Sequence, residues 1–309
     1  MQKTIQLAIT ALSEGKLIGL PTETVYGLAA PINNQQLIGK IFSLKKRPFF
    51  DPLIVHVSSI DQAKSLVHFW PPICDELAKS FWPGPVTLVL EKLPLVSDLI
   101  TSGLTTVGIR IPRSQLARDF ISALGVPVAA PSANLFKQIS PTSAQHVREV
   151  FSSEDVFVLD DGPCDVGIES TIIKVTASSL EILRPGLISA IELEEIADRF
   201  NYEIIHSKNT EISAPGMLEE HYRPTKPMYV VAAKDFSQAK KKLILENTHW
   251  FQLSNQPELA ARELYQKMRE ACENENSSCS LFINEKNLSN EAWKGIIDRL
   301  KKASIQFIK

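Results

Sequence analysis

A run of three cations is the first group of side chains that could bind an anion. Lys45, Lys46 and Arg47 follow an amphipathic helical pattern and lead into a loop bounded by Pro48 and Pro52. Cations at the C-terminal end of a helix are stabilised by the helix dipole, so a solvated helix end explains them. The same side chains could clamp a phosphate group, because Arg and Lys are the main side-chain phosphate ligands. The residues alone leave both interpretations open.

Arg110 is the cation that solvation explains least well. It lies within Thr106–Pro112, an otherwise apolar segment that predicts a strand. A charge in such a position is costly unless an anion is paired with it. We therefore expect a carboxylate beside Arg110, supplied either by the chain or by a ligand. His56 also lies on an apolar strand, where a histidine is more often a core residue than a catalyst.

Small and hydroxyl-bearing residues follow several predicted strands. Ser132 and Asn134 come directly after one strand, and Ser140 precedes a predicted helix. Ligands of α/β sheets bind where strand ends converge, and helix N-termini favour anions. The same residue types are common in turns and caps, so both functions stay open. Other strand ends carry Thr24, Ser170 and Arg184.

The chain lacks the compact motifs that identify several common enzyme classes. It has no GxxxxGK[ST] phosphate-binding loop, no HExxH zinc site and no GxSxG nucleophile elbow. If the protein uses a nucleotide, a dispersed set of residues must hold it.

The elements that position these side chains form an α/β pattern over residues 1–206. Short apolar strands such as Leu17–Leu20 alternate with amphipathic helices such as Gln115–Leu124. The last strands of this region, Ser170–Val175 and Leu180–Arg184, are too close in sequence for a helical crossover. The sequence therefore predicts an α/β fold with a mixed sheet that contains antiparallel pairs.

Two further units follow in the sequence. Residues 207–227 are rich in proline, which stops helices and strands, so they predict a linker. Residues 228–309 repeat a strand–helix pattern, which predicts a small, parallel, three-layer α/β domain of Rossmann-like type. This domain has no glycine-rich turn after its first strand, so nothing supports a dinucleotide site there.

Composition excludes some classes of function. The 309 residues include 33 Lys and Arg against 35 Asp and Glu, a formal net charge of -2, which excludes a uniformly basic nucleic-acid coat. No export signal or membrane-spanning stretch is recognisable, so no membrane partner is expected. The four cysteines form no CxxC pair and predict free thiols in a reducing cytoplasm.

The chain resembles the YrdC-like family, and specifically the long, two-domain form of threonylcarbamoyl-AMP synthase. The resemblance covers about residues 15–190, and the linker sequence APGMLEEHYRP also looks like the linker of that form. Eight ordered segments carry it: PTETVYGL, KKRPFFDPLIVHV, FWPGPVTLVL, VGIRIP, PSAN, SPT, GIESTII and LRPG.

The resemblance implies a fold, a reaction and a set of partners. The family fold is a twisted mixed sheet with a concave, positively lined cavity. The implied reaction converts L-threonine, bicarbonate and ATP, with Mg2+, into threonylcarbamoyl-adenylate and pyrophosphate. The product serves the modification of adenosine 37 of tRNA by a separate transferase machinery. The resemblance also allows a weak contact between this chain and tRNA.

The resemblance also implies roles for individual residues, although it identifies no catalytic side chain and no protein metal ligand. Tyr222 matches a linker tyrosine that closes over the nucleotide. The implied threonine-binding positions are Thr24, His56, Arg110, Ala130 and Ser170. The implied ATP-binding positions are Lys46, Arg47, Asp51, Thr106, Ser132, Asn134, Ser140, Arg184 and Tyr222.

Two departures and two alternatives qualify the resemblance. Phe136-Lys137 stands where the family often has Ser-Gly, and Ala29 replaces the second glycine of Gly-Leu-Gly. The alternatives are an RNA-binding module with a basic concave face and a carbamoyl-transfer domain of the hydrogenase-maturation type. The first is disfavoured by the intact linker and candidate small-molecule site. The second is disfavoured because the zinc-finger and acylphosphatase-like segments of such proteins are missing.

Overall fold

The computed structural model describes residues 2–206, 214–216, 221–273 and 275–309. The helices are α1 (Gln2–Ser13), α2 (Gln35–Lys45), α3 (Ile60–Lys64), α4 (Pro72–Phe81), α5 (Asp98–Thr101), α6 (Gln115–Leu124), α7 (Ala144–Val150), α8 (Ala190–Arg199), α9 (Phe236–Lys242), α10 (Pro257–Glu273) and α11 (Lys294–Ala303), with short 3-10 helices at Glu285–Ser289 and Glu291–Trp293. The strands are β1 (Leu17–Leu20), β2 (Gly27–Pro31), β3 (Ile54–His56), β4 (Val86–Glu91), β5 (Thr106–Arg110), β6 (Val128–Ala129), β7 (Val156–Val158), β8 (Thr171–Val175), β9 (Ser179–Arg184), β10 (Glu203–His206), β11 (Met228–Ala233), β12 (Thr248–Gln252), β13 (Ser278–Asn284) and β14 (Gln306–Ile308).

The strands up to residue 206 form one mixed sheet in the order β10-β9-β8-β4-β5-β3-β6-β2-β1-β7. Pairs such as β3 with β5 and β4 with β8 are parallel, whereas β4 with β5 and β8 with β9 are antiparallel. The predicted mixed α/β sheet is therefore confirmed. Its central strands are buried along their length, as their near-continuous apolar sequences require.

Helix α6 has a cap at each end and one buried face, the features that a helical sequence pattern predicts. Ser114 caps its first turn by accepting a hydrogen bond from the backbone N–H of Ala117, and Gly125 ends it in the left-handed conformation with φ 72°. Leu116 and Phe120 lie one turn apart on its buried face. The helix therefore begins and ends at the residues that the pattern predicted.

The segment after β1 forms a short loop that returns the chain to the same sheet. Gly27 begins strand β2, which pairs antiparallel with β1. Thr22 closes the loop by accepting hydrogen bonds from the backbone N–H groups of Thr24 and Val25. Such local bonds from a hydroxyl to the backbone favour a turn over continued helix or strand.

The strands after residue 227 form a second, fully parallel sheet in the order β12-β13-β11-β14. Side chains alternate across β11: Val230 and Ala232 pack in the core with α10 and α11, whereas Val231 and Ala233 pack with Ala239 of α9. Helices therefore cover both faces, as a three-layer domain requires.

The two sheets are joined by close backbone contact. A Cβ on Gly167 would lie 2.5 Å from the Cα of Arg262 on α10, and a Cβ on Gly295 would lie 2.3 Å from the carbonyl oxygen of Gly186. Only glycine permits such an approach, so the loops before β8 and after β9 are held against α10 and α11.

Part of the predicted linker lies outside the described residues. Of residues 207–227, the structure describes 214–216 and 221–227. The four cysteines are free, as predicted. Within the described ranges, no helix combines the length and apolar character needed to cross a membrane.

Candidate functional site

A cleft of about 540 Å³ lies where several strand ends of the large sheet converge. His56 ends β3, Arg110 ends β5 and Arg184 ends β9. His56 and Arg110 are register partners on adjacent parallel strands, so their side chains enter the cleft side by side. The lining residues are Thr22, Thr24, Val25, Gly27, Arg47, Ile54, His56, Arg110, Ala130, Pro131, Ser132, Glu169, Ser170, Arg184, Pro215, Gly216, His221 and Tyr222.

The cleft brings together nine of the fourteen candidate binding residues. All five candidates for threonine binding line it, namely Thr24, His56, Arg110, Ala130 and Ser170. Four candidates for ATP binding line it as well, namely Arg47, Ser132, Arg184 and Tyr222. Residues separated by up to 198 positions, from Thr24 to Tyr222, thus share one surface.

Arg110 is buried and held on three sides. Its Nη2 forms an ion pair with Glu23 Oε1 at 2.8 Å, and its Nη1 donates to Thr24 Oγ1 at 2.8 Å. Its Nε donates to the carbonyl oxygen of Gly84 at 3.1 Å. The anion expected beside Arg110 is therefore present within the chain. Breaking such a buried pair leaves an uncompensated charge and typically costs about 3–5 kcal/mol.

Thr24 belongs to a chain of hydroxyls whose direction Arg110 sets. Because Thr24 Oγ1 accepts from Arg110, its proton is free to point to Thr22 Oγ1, 2.9 Å away. Thr22 Oγ1 in turn lies 2.5 Å from the carbonyl oxygen of Val25, to which it donates. Each donor thus has one acceptor, and the loop after β1 is fixed to the end of β5.

His56 is a neutral imidazole at ordinary pH. Burial, and to a lesser extent the nearby positive charge of Arg110, together lower its pKa to about 3. Its Nδ1 has no hydrogen-bond partner among the described residues and is buried. Because buried polar atoms are almost always paired, this nitrogen is available to a ligand in the cleft.

A second buried ion pair lies in the loop after α2. Arg47 Nη2 is 2.9 Å from Asp51 Oδ2, and Arg47 also donates to the carbonyl oxygens of Asp51 and Pro52. Burial lowers the pKa of Arg47 while Asp51 opposes that shift, and burial raises the pKa of Asp51. The pair closes the loop on itself, so one face of the Arg47 guanidinium is presented to the cleft.

The other two cations of the same run have different roles. Lys45 is buried, and its Nζ donates to the carbonyl oxygens of Ser132 and Asn134, which ties α2 to the loop after β6. Burial and then the charge of Arg47 lower the pKa of Lys45 well below its usual value. Lys46 is exposed and ends α2 in the left-handed conformation with φ 53°. Lys46 therefore fits the first interpretation of the cation run, a solvated helix end. Arg47 lines the cleft, so it fits the second interpretation, a phosphate ligand.

Arg184 organises the opposite wall. Its Nε and Nη2 donate to the carbonyl oxygen of Ser170 at 3.2 and 3.1 Å, and its Nη1 donates to the carbonyl oxygen of Pro215 at 3.0 Å. The Ser170 hydroxyl lies 2.8 Å from Thr87 Oγ1 and accepts from Arg184 Nη2 at 3.2 Å. Burial lowers the pKa of Arg184. One side chain thus joins two strands to the described linker segment 214–216.

The linker tyrosine is buried beneath this wall. Tyr222 adopts φ 61°, its ring stacks on Tyr265 at 5.8 Å, and the guanidinium of Arg299 lies 5.5 Å from its ring centre. Burial raises its pKa above the usual value, so it carries a proton. Its hydroxyl has no hydrogen-bond partner among the described residues. Burial lowers the pKa of the neighbouring His221 to about 3.

Five candidate ATP-binding residues do not line this cleft. Lys46 and Asp51 have been described above. Thr106 lines a smaller cavity of about 280 Å³ that shares Ile54 and Pro215 with the cleft. Asn134 donates to the carbonyl oxygens of Leu135 and Gln138, which shapes its own loop. Ser140 is fully buried and donates to Glu169 Oε1 at 2.6 Å.

Glu169 is a residue of the site that the sequence analysis did not select. It accepts hydrogen bonds from Ser140 Oγ, from Tyr265 Oη at 2.9 Å and from Arg299 Nε at 3.0 Å. Burial alone would raise its pKa, but the charges of Arg299 and Arg184 and the bond from Ser140 lower it to about 2. It is therefore ionised at all ordinary pH values.

Glu23 and Tyr265 were not among the residues predicted from the sequence, and Lys45 was predicted only as part of its run of three cations. The sequence signals for these three residues differ. Glu23 follows a buried strand and precedes a glycine, so it was as conspicuous as Thr24. Lys45 was grouped with two neighbours, although the helical period places it on the apolar face of α2. Tyr265 lies 96 residues from its partner Glu169 and carries no local signal.

The cleft carries charge of both signs. Arg47, Arg110 and Arg184 line it together with the carboxylate of Glu169, and Arg110 and Arg47 are paired with Glu23 and Asp51. Across the described ranges, no three His, Cys, Asp or Glu side chains are grouped so that they could hold a metal ion.

Two family models together match nearly the whole chain. Residues 10–186 match the Sua5_yciO_yrdC model, described as "Telomere recombination". Residues 188–304 match the model described as "Threonylcarbamoyl-AMP synthase, C-terminal domain".

Individual relatives agree with these matches. The threonylcarbamoyl-AMP synthase of Pyrococcus abyssi is 40% identical over 229 residues, which are 74% of this chain and 67% of the relative. The enzyme of the same name from Bacillus subtilis is 38% identical over 73% of this chain and 66% of the relative. These alignments span about two thirds of each relative's length.

A solved structure covers more of the chain. The crystal structure of P. abyssi Sua5 complexed with L-threonine matches with a TM-score of 0.88 at 33% identity, over 99% of this chain and 95% of that one. This likeness extends over both sheets. The chain belongs to the threonylcarbamoyl-AMP synthase family, in its long, two-domain Sua5 form.

Proposed function

We propose that the protein joins L-threonine, bicarbonate and ATP to give threonylcarbamoyl-adenylate and pyrophosphate. The observation that carries the proposal is the cleft itself, in which every candidate threonine residue and four candidate ATP residues form one surface. Family membership supports the same reaction. The relative with a similar fold has been crystallised with L-threonine.

We assign threonine to the part of the cleft around β3 and β5. Arg110, Thr24 and Ser170 offer a cation and two hydroxyls for its polar groups, and Ala130 offers a small surface that allows close approach. The carboxylate of threonine would share Arg110 with Glu23, so the guanidinium serves both anions. Charge-assisted bonds of this kind give both affinity and orientation.

We assign His56 to binding and not to proton abstraction. An imidazole with a pKa of about 3 is a weak base at neutral pH, whereas efficient general bases have pKa values near the working pH. Its unpartnered Nδ1 suits a hydrogen bond to threonine. No side chain is assigned as the group that deprotonates the amine.

We assign ATP to the part of the cleft between Arg47 and Arg184. Ser132 and Tyr222 line the same cleft, whereas the other candidates, Lys46, Asp51, Thr106, Asn134 and Ser140, do not. The three carboxylates nearest the cleft are each paired with an arginine, so Mg2+ is expected to enter bound to the triphosphate as part of the substrate. The arginines then offset the remaining phosphate charge.

The chemistry we propose depends on positioning. The threonine amine attacks the carbon of bicarbonate, a C–O bond breaks and water leaves with the amine proton, which gives the carbamate. A carbamate oxygen then attacks the α-phosphorus of ATP, and the bond from the α-phosphorus to the bridging oxygen breaks to release pyrophosphate. Neither step needs a covalent enzyme intermediate, so aligned reactants and fixed charges supply the rate. The linker residues over the cleft would keep water from the labile adenylate.

The wider setting follows from this product. We expect a separate transferase machinery to pass the threonylcarbamoyl group to position 37 of tRNA, with at most a weak contact between this chain and tRNA. ATP and tRNA meet in the cytoplasm, where we expect the reaction to take place. We also propose that residues 1–206 are the synthase domain, 207–227 a closing linker and 228–309 the C-terminal domain.

The decisive experiment measures pyrophosphate release from ATP and identifies the product by mass spectrometry. Release should require both L-threonine and bicarbonate, and the product mass should equal threonylcarbamoyl-adenylate. Absence of release, accompanied by tight tRNA binding, would favour the RNA-binding alternative instead.

A further inference from the structure

The carboxylate of Glu169 joins the two sheets at the edge of the cleft. Oε1 accepts from Ser140 of the synthase domain, whereas Oε2 accepts from Tyr265 on α10 and from Arg299 on α11. The backbone carbonyl of Glu169 accepts a further bond from Arg299 Nη2 at 3.2 Å. All four groups are buried.

The partners from the C-terminal domain are themselves fixed. Arg299 is fully buried and also donates to the carbonyl oxygens of Pro185 and Gly295. The Tyr265 ring stacks on Tyr222 of the linker. A carboxylate that accepts hydrogen bonds from two such donors has little freedom to move. Its position therefore depends on how the C-terminal domain packs against the synthase domain.

The loop that carries Glu169 also carries a substrate-binding candidate. Ser170 follows it directly, and its hydroxyl and carbonyl are bonded to Arg184. On the other side, the Glu169 carboxylate is the acceptor that orients the Ser140 hydroxyl. A shift of Glu169 therefore moves Ser170, which lines the cleft, and Ser140, which lies in the loop before α7.

We propose that Glu169 is a positioning residue through which Tyr265 and Arg299 of the C-terminal domain set the substrate-binding geometry of the synthase domain. The inference rests on the proposed function, because it assigns an effect to the same site. If Glu169 has this role, the C-terminal domain directly supports the nucleotide-binding part of the cleft. Removing the contacts of Tyr265 or Arg299 with Glu169 should then weaken ATP binding, although neither side chain touches the substrate.

The test uses the full chain and the variant Tyr265→Phe, which deletes one hydroxyl and keeps the stacked ring. A hydrogen bond to a charged group is worth enough to change an equilibrium about tenfold or more, so we expect the Kd and KM for ATP to rise about tenfold. We expect kcat to change less than twofold, and loss of the buried bond should lower the melting temperature by only a few degrees, so that the protein stays folded in the assay. Glu169→Gln, which also removes the charge that Arg299 Nε contacts and leaves Arg299 only its pair with Asp298, should have the larger effect on ATP binding.

The matched control is Arg262→Ala. Arg262 also forms an ion pair between the two domains, with Asp165 at 3.7 Å, but both side chains are largely exposed. Its removal should leave Kd, KM and kcat unchanged, because an exposed pair contributes little. A double variant of Tyr265→Phe with Ser140→Ala should weaken ATP binding by less than the product of the single effects, since both act through one carboxylate.

A lower melting temperature with unchanged Kd and KM in Tyr265→Phe would show that the contact only stabilises the fold, and the inference would be wrong. Wild-type ATP affinity in both Tyr265→Phe and Glu169→Gln would overturn it as well. Should Glu169→Gln fail to fold, Tyr265→Phe still decides. The proposed function fails separately if the wild type releases no pyrophosphate, and the Kd for ATP, measured by calorimetry, then still decides the inference.

Discussion

The two sides of the cleft are built in different ways. On the threonine side, defined here as Thr24, His56 and Arg110, the groups belong to one sheet and its adjoining loop, and the central charge is paired with Glu23. On the nucleotide side, defined as Ser140, Arg184 and Tyr222, the groups depend on the linker and on contacts with the C-terminal domain.

This difference indicates which side is set by folding of the synthase domain alone. The threonine side is held by adjacent strands in register, so little movement of other parts can change it. The nucleotide side is completed by segments that are distant in sequence, so docking of the C-terminal domain can change it. Substitutions on one side should therefore change the binding of one ligand more than that of the other.

The largest effect is expected for Arg110→Ala. The change removes the threonine-side cation and leaves Glu23 buried without its partner, which should lower the free energy of unfolding by about 3–5 kcal/mol. The Kd for L-threonine should rise more than about 100-fold, whereas the Kd for ATP should change much less. Calorimetric titration with each ligand, together with urea unfolding, measures all three quantities.

Arg113→Ala is the control, because only the backbone N–H of Arg113 contacts Glu23, at 2.8 Å. It should bind both ligands as the wild type does. Equal losses of threonine and ATP affinity in Arg110→Ala would contradict the division of the cleft into two sides.

The opposite selectivity is expected for Arg184→Ala. This change removes the bonds to Ser170 and Pro215, so it frees the linker segment 214–216 from the wall. The Kd for ATP should rise by about 10- to 100-fold, as is typical for losing hydrogen bonds to a charged group. The Kd for L-threonine should rise less, because Ser170 keeps its contact with Thr87.

Arg199→Ala, at an exposed arginine paired with Glu76 at 3.5 Å, is the control for removing a surface charge. If Arg184→Ala reduced threonine affinity more than ATP affinity, the assignment of the nucleotide side would be wrong.

A pH-dependent effect of about 1.4 kcal/mol is expected from His56. Its folded-state pKa of about 3 lies below the usual 6.5, so between these values the unfolded chain binds a proton that the folded protein does not. Stability is therefore complete above pH 6.5 and falls as the pH is lowered toward 3. At pH 5.5, one unit below 6.5, this histidine should account for about 1.4 kcal/mol of the loss.

Urea unfolding at pH 7.5 and pH 5.5 checks this effect. His56→Gln should lose less stability between the two pH values than the wild type, while His221, whose pKa is also lowered to about 3, contributes equally to both proteins. His68→Gln is the control for replacing an exposed histidine. An identical pH dependence in His56→Gln and the wild type would mean that His56 is not buried as neutral imidazole.

The two sides also differ in how far the sequence could predict them. Arg110 stood out because one cation in an apolar strand demands an anion. The other threonine-binding candidates were implied by the family resemblance, and all five line the cleft. No local pattern showed that β3 and β5 are neighbours, so the placement of His56 beside Arg110 is known only from the structure.

The nucleotide side depended on contacts that no local pattern encodes. Ser140 was predicted to bind ATP, but its hydroxyl donates a hydrogen bond to Glu169. The other two side chains that donate to Glu169 lie 96 and 130 residues further along the chain. Gly167 and Gly295 permit the close packing that brings these residues together, yet a glycine in sequence does not show which backbone it meets. Tertiary packing between domains decided these positions.

The smallest effect is expected for Tyr222→Phe, which isolates one atom of the nucleotide side. The hydroxyl is buried and has no hydrogen-bond partner among the described residues, so its removal should not lower the free energy of unfolding. The stacking on Tyr265 and the contact with Arg299 are kept, because both involve the ring.

Any loss of ATP affinity in Tyr222→Phe must then come from a hydrogen bond that the hydroxyl makes to bound nucleotide. We expect the Kd for ATP to rise about fivefold, a typical net effect of one neutral hydrogen bond. The Kd for L-threonine should stay the same, and calorimetry with both ligands measures the contrast. Equal changes for the two ligands would indicate that Tyr222 supports the whole cleft, so that the sides are not independent at this residue.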